Sequence, residues 1–150
     1  MKWLVFLILT ICLPSSYAET DWSKLDYQTK EVLDYIANDD FNGAETKINA
    51  VDAAKQDPPT AWCLWAALYY KIVEEYRTTE FETEFNNAVA KAVKELDDEK
   101  LDDKNGKEYK AKRLQFLASA YGYRGMYRTL KGLWGSAFLD GKRAYHVLED

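Results

Sequence analysis

The sequence predicts an all-α protein made of antiparallel helical hairpins, and three observations carry that prediction. Only three prolines and seven glycines occur in 150 residues. No alternating run of Val, Ile or Thr bounded by turn pairs marks a strand, whereas long stretches place apolar residues at helical spacing. A motif of one aromatic, two small residues and Ala recurs as Phe41-Asn42-Gly43-Ala44, Phe85-Asn86-Asn87-Ala88 and Trp134-Gly135-Ser136-Ala137, with starts 44 and 49 residues apart. Recurrence on this scale points to stacked hairpins in a short solenoid, because one hairpin cannot bury its apolar face alone.

Residues 1–18 have the pattern of a signal peptide: basic Met1-Lys2, an apolar run from Trp3 to Leu13, and small-x-small Ser16-Tyr17-Ala18. The run is shorter than the roughly 20 residues a transmembrane helix needs. Cys12 follows Ile11 rather than the Gly or Ala of a lipid-attachment box. Cleavage near Ala18 would deliver a periplasmic or secreted protein. The remainder, residues 19–150, is enough for one domain with its own core. Its one cysteine, Cys63, sits in apolar Ala61-Trp62-Cys63-Leu64-Trp65 and is expected to pack as a small hydrophobe, so packing rather than disulfides must hold the fold.

Six helices are expected. Asp21 or Ser23 caps the first, which runs to about Asn38 with Leu25, Val32, Leu33 and Ile36 inward, and Asn38-Asp39-Asp40 ends it. The second runs from about Phe41 to Gln56, with Ala44, Ile48, Val51 and Ala54 inward, and stops at Asp57-Pro58-Pro59. Thr60 caps the third, Ala61 to about Thr78. Trp62, Leu64, Trp65, Ala66, Leu68, Tyr69, Ile72 and Val73 nearly encircle it, the mark of a buried helix. The fourth starts at Thr79 or Thr83 and reaches about Leu96, with Phe85, Ala88, Val89, Ala92, Val93 and Leu96 inward. Charged Asp97 to Gly106 is expected to be a solvated loop. The fifth covers about Lys107 to Leu130, Lys131-Gly132 turns the chain, and the sixth covers about Trp134 to Leu148. Small residues at Ala44, Ala66, Ala88, Ala118, Ala137 and Ala144 would let helices approach closely, with aromatics filling the space between hairpins.

These residues resemble the tetratricopeptide repeat (TPR) family. Trp62, Trp65, Ala66 and Tyr69, and again Leu114, Leu117, Ala118 and Tyr121, match the spacing of that family's first helix. Trp134, Ala137 and Ala144 match its second, Phe41/Ala44 and Phe85/Ala88 match half of it, and Pro58 stands loosely for its terminal proline. The repeat here is longer than the family's, and the first hairpin lacks the leading-helix signature. Ala120 to Gly125, followed by Gly132, Trp134 and Ala137, also resembles a stretch met in exported bacterial repeat proteins. The resemblance implies a scaffold that binds a protein or peptide non-covalently. The groove it implies is lined by Cys63, Ala67, Tyr70 and Lys71 on the third helix and by Lys112, Gln115, Ser119, Gly122 and Tyr123 on the fifth.

The catalytic signals are thin. One histidine, His146, supplies no metal-ligand cluster, and no nucleophile elbow, phosphate loop or metalloprotease motif occurs. Asp39-Asp40, Glu74-Glu75, Asp97-Asp98 and Asp102-Asp103 fall in polar surroundings that keep both carboxylates ionised. The expectation is therefore no enzyme, no cofactor and no metal.

The segment Tyr121-Gly122-Tyr123-Arg124-Gly125-Met126-Tyr127-Arg128 stands apart, since each glycine inside a helix costs roughly 1 kcal/mol against Ala. The two glycines either pack tightly on a neighbouring helix or open a groove. In the second case Arg124 and Arg128, one turn apart, would hold a carboxylate or phosphate. Charge is uneven: residues 19–103 carry a net −12 and residues 104–150 a net +6. The halves either neutralise each other within the fold or drive head-to-tail contacts between copies. Nucleic acid does not suit a modest basic half on an exported chain. The last helix has no polar cap after it, so self-association or continuation of the array is expected there. A second reading is a small-ligand carrier of the cell envelope, with a pocket among Trp62, Trp65, Tyr121, Tyr123 and Arg124.

Overall fold

The structure, a computed structural model, describes residues 27–53, 58–98 and 107–149. Six α-helices account for the architecture and no strand occurs among the described residues: α1 Tyr27–Ala37, α2 Phe41–Ala53, α3 Pro58–Tyr76, α4 Glu82–Asp98, α5 Lys107–Leu130 and α6 Trp134–Glu149. The all-α expectation holds. The signal segment 1–18, the capping candidates Asp21 and Ser23, Leu25, Ala54 and most of the charged stretch before Lys107 lie outside the described residues.

Local chemistry explains the turns. Asp39 takes a left-handed φ of 60° to end α1, and Asp40 caps α2 by accepting a 2.9 Å hydrogen bond from the Gly43 amide. Gly132 closes α5 with a φ of 72°, and the Leu133 amide reaches back to the Arg128 carbonyl at 2.8 Å. Two boundaries differ from expectation. Pro58 and Pro59 open α3 instead of merely ending α2, because proline's missing amide costs nothing in a first turn. Thr60 is thus a buried first-turn residue of α3 rather than its leading cap. Asp97 and Asp98 complete α4 instead of starting the loop.

Helix α3 is the hub, packing against α1, α2, α4 and α5. Its Leu64, Ala67 and Leu68 join Val32, Ile36, Ala44 and Ile48 in one cluster. Cys63 joins Ala92, Leu96, Phe116, Leu117, Ala120 and Tyr121 in a second, while Ala66, Tyr70 and Val73 join Phe85, Ala88, Val89 and Tyr127 in a third. A helix apolar on every side is buried here because each side meets a different neighbour. Burial pushes the Cys63 thiol up to about 12, and its Sγ lies 3.5 Å from the Phe116 carbonyl oxygen.

The repeated motif keeps its alanine and varies its ring. Ala44 and Ala88 are buried notches and Ala137 is half-buried against α5. Phe41 begins α2 half-buried, Phe85 is fully buried one turn inside α4, and Trp134 begins α6 with 68% of its surface exposed. The expectation that these aromatics fill the space between hairpins therefore fails for Trp134, which no described helix covers.

Candidate functional site

An open groove of about 460 Å³ runs along one side of α3. Trp65, Tyr69, Ile72 and Tyr76 line its floor at successive intervals of four, three and four residues, so they share one helix face. Phe41 from α2 and Phe81 from the α3–α4 connection close its sides. Trp65, Tyr69 and Phe81 form a continuous near-parallel stack, with ring centroids 5.4 and 5.9 Å apart and interplanar angles of 18° and 16°. Phe41 meets Tyr76 edge to face at 6.0 Å. The chain sharpens this wall in sequence: Arg77, with a φ of 52°, ends α3, and the Thr78 hydroxyl accepts from the Glu80 amide at 3.1 Å, turning Phe81 back over Tyr69.

The groove is acidic at its edge. Glu45 and Glu80 line it, and no lysine or arginine does among the described residues. Burial raises the Tyr69 phenol above its ordinary value, and the negative charges of Glu45 and Glu84 raise it further. An apolar wall of stacked rings beside carboxylates favours groups that are cationic and apolar together.

The residues expected to line a groove do not meet at this surface. Tyr70 is buried and packs on Phe85 and Tyr123 at centroid distances of 6.3 and 5.9 Å, on the far side of α3 from the open groove. Tyr123 packs against all three core clusters, and burial raises its phenol above the ordinary range, Cys63 and Tyr70 adding to the effect. Lys71 pairs with Glu75 and Asp39 at 3.3 and 3.4 Å. Lys112 lies 5.9 Å from the Phe116 ring, and the Ser119 hydroxyl donates to the Gln115 carbonyl at 2.9 Å. Trp62 and Tyr121, named for a small-ligand pocket, pack in the core, and Arg124 spans to α6.

Arg124 and Arg128 do hold a carboxylate, and it is the chain's own. Asp140 of α6 is fully buried. Arg124 grips it bidentately, Nε to Oδ2 at 3.0 Å and Nη2 to Oδ1 at 2.7 Å, Arg128 donates to Oδ2 at 2.6 Å, and Arg143 to Oδ1 at 3.3 Å. The Tyr121 ring supports the Arg124 guanidinium at 5.1 Å, and its hydroxyl donates to Asp97 at 3.2 Å. Arg124 and Arg128 of α5 thus lock α6 to α5 through this carboxylate, while Arg143 grips it from within α6. Sequence reasoning passed over Asp140. Its register with Ala137, Ala144 and Val147, at 3-4-3 spacing on the inward face of α6, was the available signal.

The two glycines of the distinctive segment divide the roles proposed for them. A Cβ on Gly125 would stand 3.4 Å from the Ala137 carbonyl oxygen, so this glycine serves close packing of α6. A Cβ on Gly122 would meet nothing within 4 Å. Gly122 opens on a shallow second concavity between α5 and α6, walled by Met126, Trp134 and Phe138. Around that concavity the outer face of α6 is apolar and bare: Trp134, Phe138, Tyr145 and Leu148 are all exposed, Phe138 at 73%.

A scan against protein-family models finds no match, and searches of curated proteins and of solved structures find none either. Among the described residues no three His, Cys, Asp or Glu side chains converge as a metal site, and no helix is long and apolar enough to cross a membrane.

Proposed function

We propose that this protein is an exported helical scaffold of the tetratricopeptide-repeat kind that binds a protein or peptide partner non-covalently. The observation that carries the reading is the open aromatic groove of Phe41, Trp65, Tyr69, Tyr76 and Phe81 with Glu45 and Glu80 at its edge. Its rings line more than two turns of α3, half-buried at Trp65 and Tyr69 and exposed at Tyr76, a length suited to an extended segment or a helix rather than to a single small molecule. The acidic edge selects a partner with basic and apolar residues side by side.

A photo-crosslinking amino acid in place of Tyr76, the most exposed ring of the groove, tests this in the native source. The expected outcome is a polypeptide adduct at position 76 that is absent when the same crosslinker replaces exposed Lys30. Adducts confined to small metabolites, or none above the Lys30 control, would overturn the reading.

A further inference from the structure

The middle of the aromatic groove has carboxylates on both sides. Trp65 and Phe81 cover the two faces of Tyr69, so that ring meets the groove by its edge and hydroxyl. Glu45 comes to this position from α2 and Glu84 from α4, both helices packed on α3, and the negative charge of each acts on the Tyr69 phenol. Glu80 lines the groove from the α3–α4 connection. All three are exposed, and none has an ion-pair partner among the described residues. The surrounding bases are engaged elsewhere: Lys47 with Glu31 at 2.7 Å, Lys71 with Glu75 and Asp39, Lys131 with Glu82, and Lys91 over the Trp62 ring at 3.9 Å. Arg77 bears on the buried Tyr70 phenol, on the far side of α3. Lys94 stands ten residues, about 15 Å, along α4 from Glu84.

We propose that the groove takes an extended segment of its partner that sets one lysine between Glu45 and Glu84, with an apolar residue two positions to either side. The inference rests on the groove being a polypeptide-binding site, as proposed above, and names the chemistry of the segment it holds.

Charge complementarity selects a cation, since carboxylates without counter-charge surround an apolar floor that no base lines. Geometry selects lysine over arginine. The acceptors are two carboxylates and a hydroxyl, each from a different helix. An ammonium turns its three donors to acceptors in three directions, whereas a planar guanidinium fork suits one carboxylate. The lysine stem gains apolar contact with the ring stack on its way in. The floor sets the spacing. Trp65 and Tyr69 are four residues apart, about 6 Å along α3, and Tyr69 and Ile72 three, about 4.5 Å. Alternate side chains of an extended chain project to one side about 6.6 Å apart. Lysine at Tyr69 thus brings one apolar side chain to Trp65 and another toward Ile72, where Phe41 and Tyr76 meet. Trp65 to Tyr76 covers about 16 Å, the length of about five extended residues.

NMR titration of the purified protein with capped peptides tests this. The probe is Leu-Ser-Lys-Ser-Leu, compared with the same peptide carrying norleucine or arginine at its centre. The lysine peptide is expected to shift the Trp65, Tyr69 and Phe81 resonances. It should bind about tenfold more tightly than the norleucine peptide, a preference that salt weakens, with the arginine peptide between the two. Glu45→Gln combined with Glu84→Gln changes two exposed positions and leaves the core intact. In that double variant the preference for lysine should vanish, while the norleucine peptide binds as it does to the wild type. Four results would overturn the proposal: equal binding of the lysine and norleucine peptides or binding of neither, tighter binding of the arginine peptide, a lysine preference that survives in the double variant, or a double variant that loses the norleucine peptide too. If one of these is seen while position 76 still crosslinks to a polypeptide, the lysine subsite is refuted and the scaffold reading stands. If position 76 crosslinks to no polypeptide, both fail.

Discussion

Phe85 and Trp134 hold the same place in two copies of one four-residue motif, yet Phe85 is inaccessible to solvent and Trp134 lies open. In the middle hairpin, α3 and α4, the ring of Phe85 is enclosed by Tyr70 from the preceding helix and by Tyr127 from the following one, the latter at a centroid distance of 4.8 Å. In the last hairpin, α5 and α6, no ring among the described residues plays the part of Tyr127, and Trp134 is 68% exposed. The two hairpins also hold together differently. Apolar packing joins α4 to α3, while α6 is joined to α5 through a buried carboxylate held by Arg124 and Arg128. A repeated motif thus specifies a helix start and an alanine notch. Whether its ring becomes core or surface depends on the next element.

Replacing the two rings is the sharpest test of that contrast. Phe85→Ala should cost about 3–5 kcal/mol in urea unfolding, whereas Trp134→Ala should change stability by no more than about 0.5 kcal/mol. Comparable losses would mean that the two hairpins are equivalent after all. Removing the shared carboxylate comes next. Asp140→Ala should cost about 3 kcal/mol, the lower end for breaking a buried ion pair, because Arg128 and Arg143 retain access to water. The loss should appear first as exposure of α6 in hydrogen exchange, with the amides of α3 protected as before.

Alkali should act on the middle of the molecule rather than on its end. Burial raises the Cys63 thiol from 9.0 to about 12, and Tyr70 and Tyr123, where α3 meets α5, are also raised above their ordinary values. Groups raised on folding contribute stability that is fully present below their unfolded values and is lost as pH climbs toward the folded ones. Unfolding midpoints should therefore decline above about pH 9, and Cys63 should resist alkylation until the chain unfolds. Rapid labelling of the native thiol near neutral pH would contradict its burial. The smallest effects belong to the glycines. Gly122→Ala should stabilise by roughly 0.5–1 kcal/mol, since a helix interior prefers alanine and the added methyl meets open space. Gly125→Leu should destabilise by about 1–3 kcal/mol against the Ala137 backbone.

Much of the helical framework was legible because its signals are local. Asn38-Asp39-Asp40 and Lys131-Gly132 were read as turns, and the left-handed φ values at Asp39 and Gly132 bear that out. The inward stripes of α2 and α4, from Ala44 and Ile48 to Phe85 and Leu96, were correctly assigned to the core. Pro58 misled because it was read as a stop, whereas it opens α3, where a first turn tolerates its missing amide. The groove was not legible. Phe41, Tyr69 and Phe81 come from three separate segments, and no period in the sequence relates them. Arg124 and Arg128 were rightly read as a carboxylate clamp, but spacing along one helix cannot show that the carboxylate is supplied by the next.

Sequence alone determined the helices, their order and the apolar encirclement of α3, because helix propensity, capping and amphipathic spacing act within about four residues along the chain. Tertiary structure alone decided that Asp140 is buried, that Trp134 is bare and that three stacked rings form an acidic groove. Those outcomes depend on which surfaces meet across the bundle, where solvent exclusion and charge pairing act between residues the sequence holds far apart.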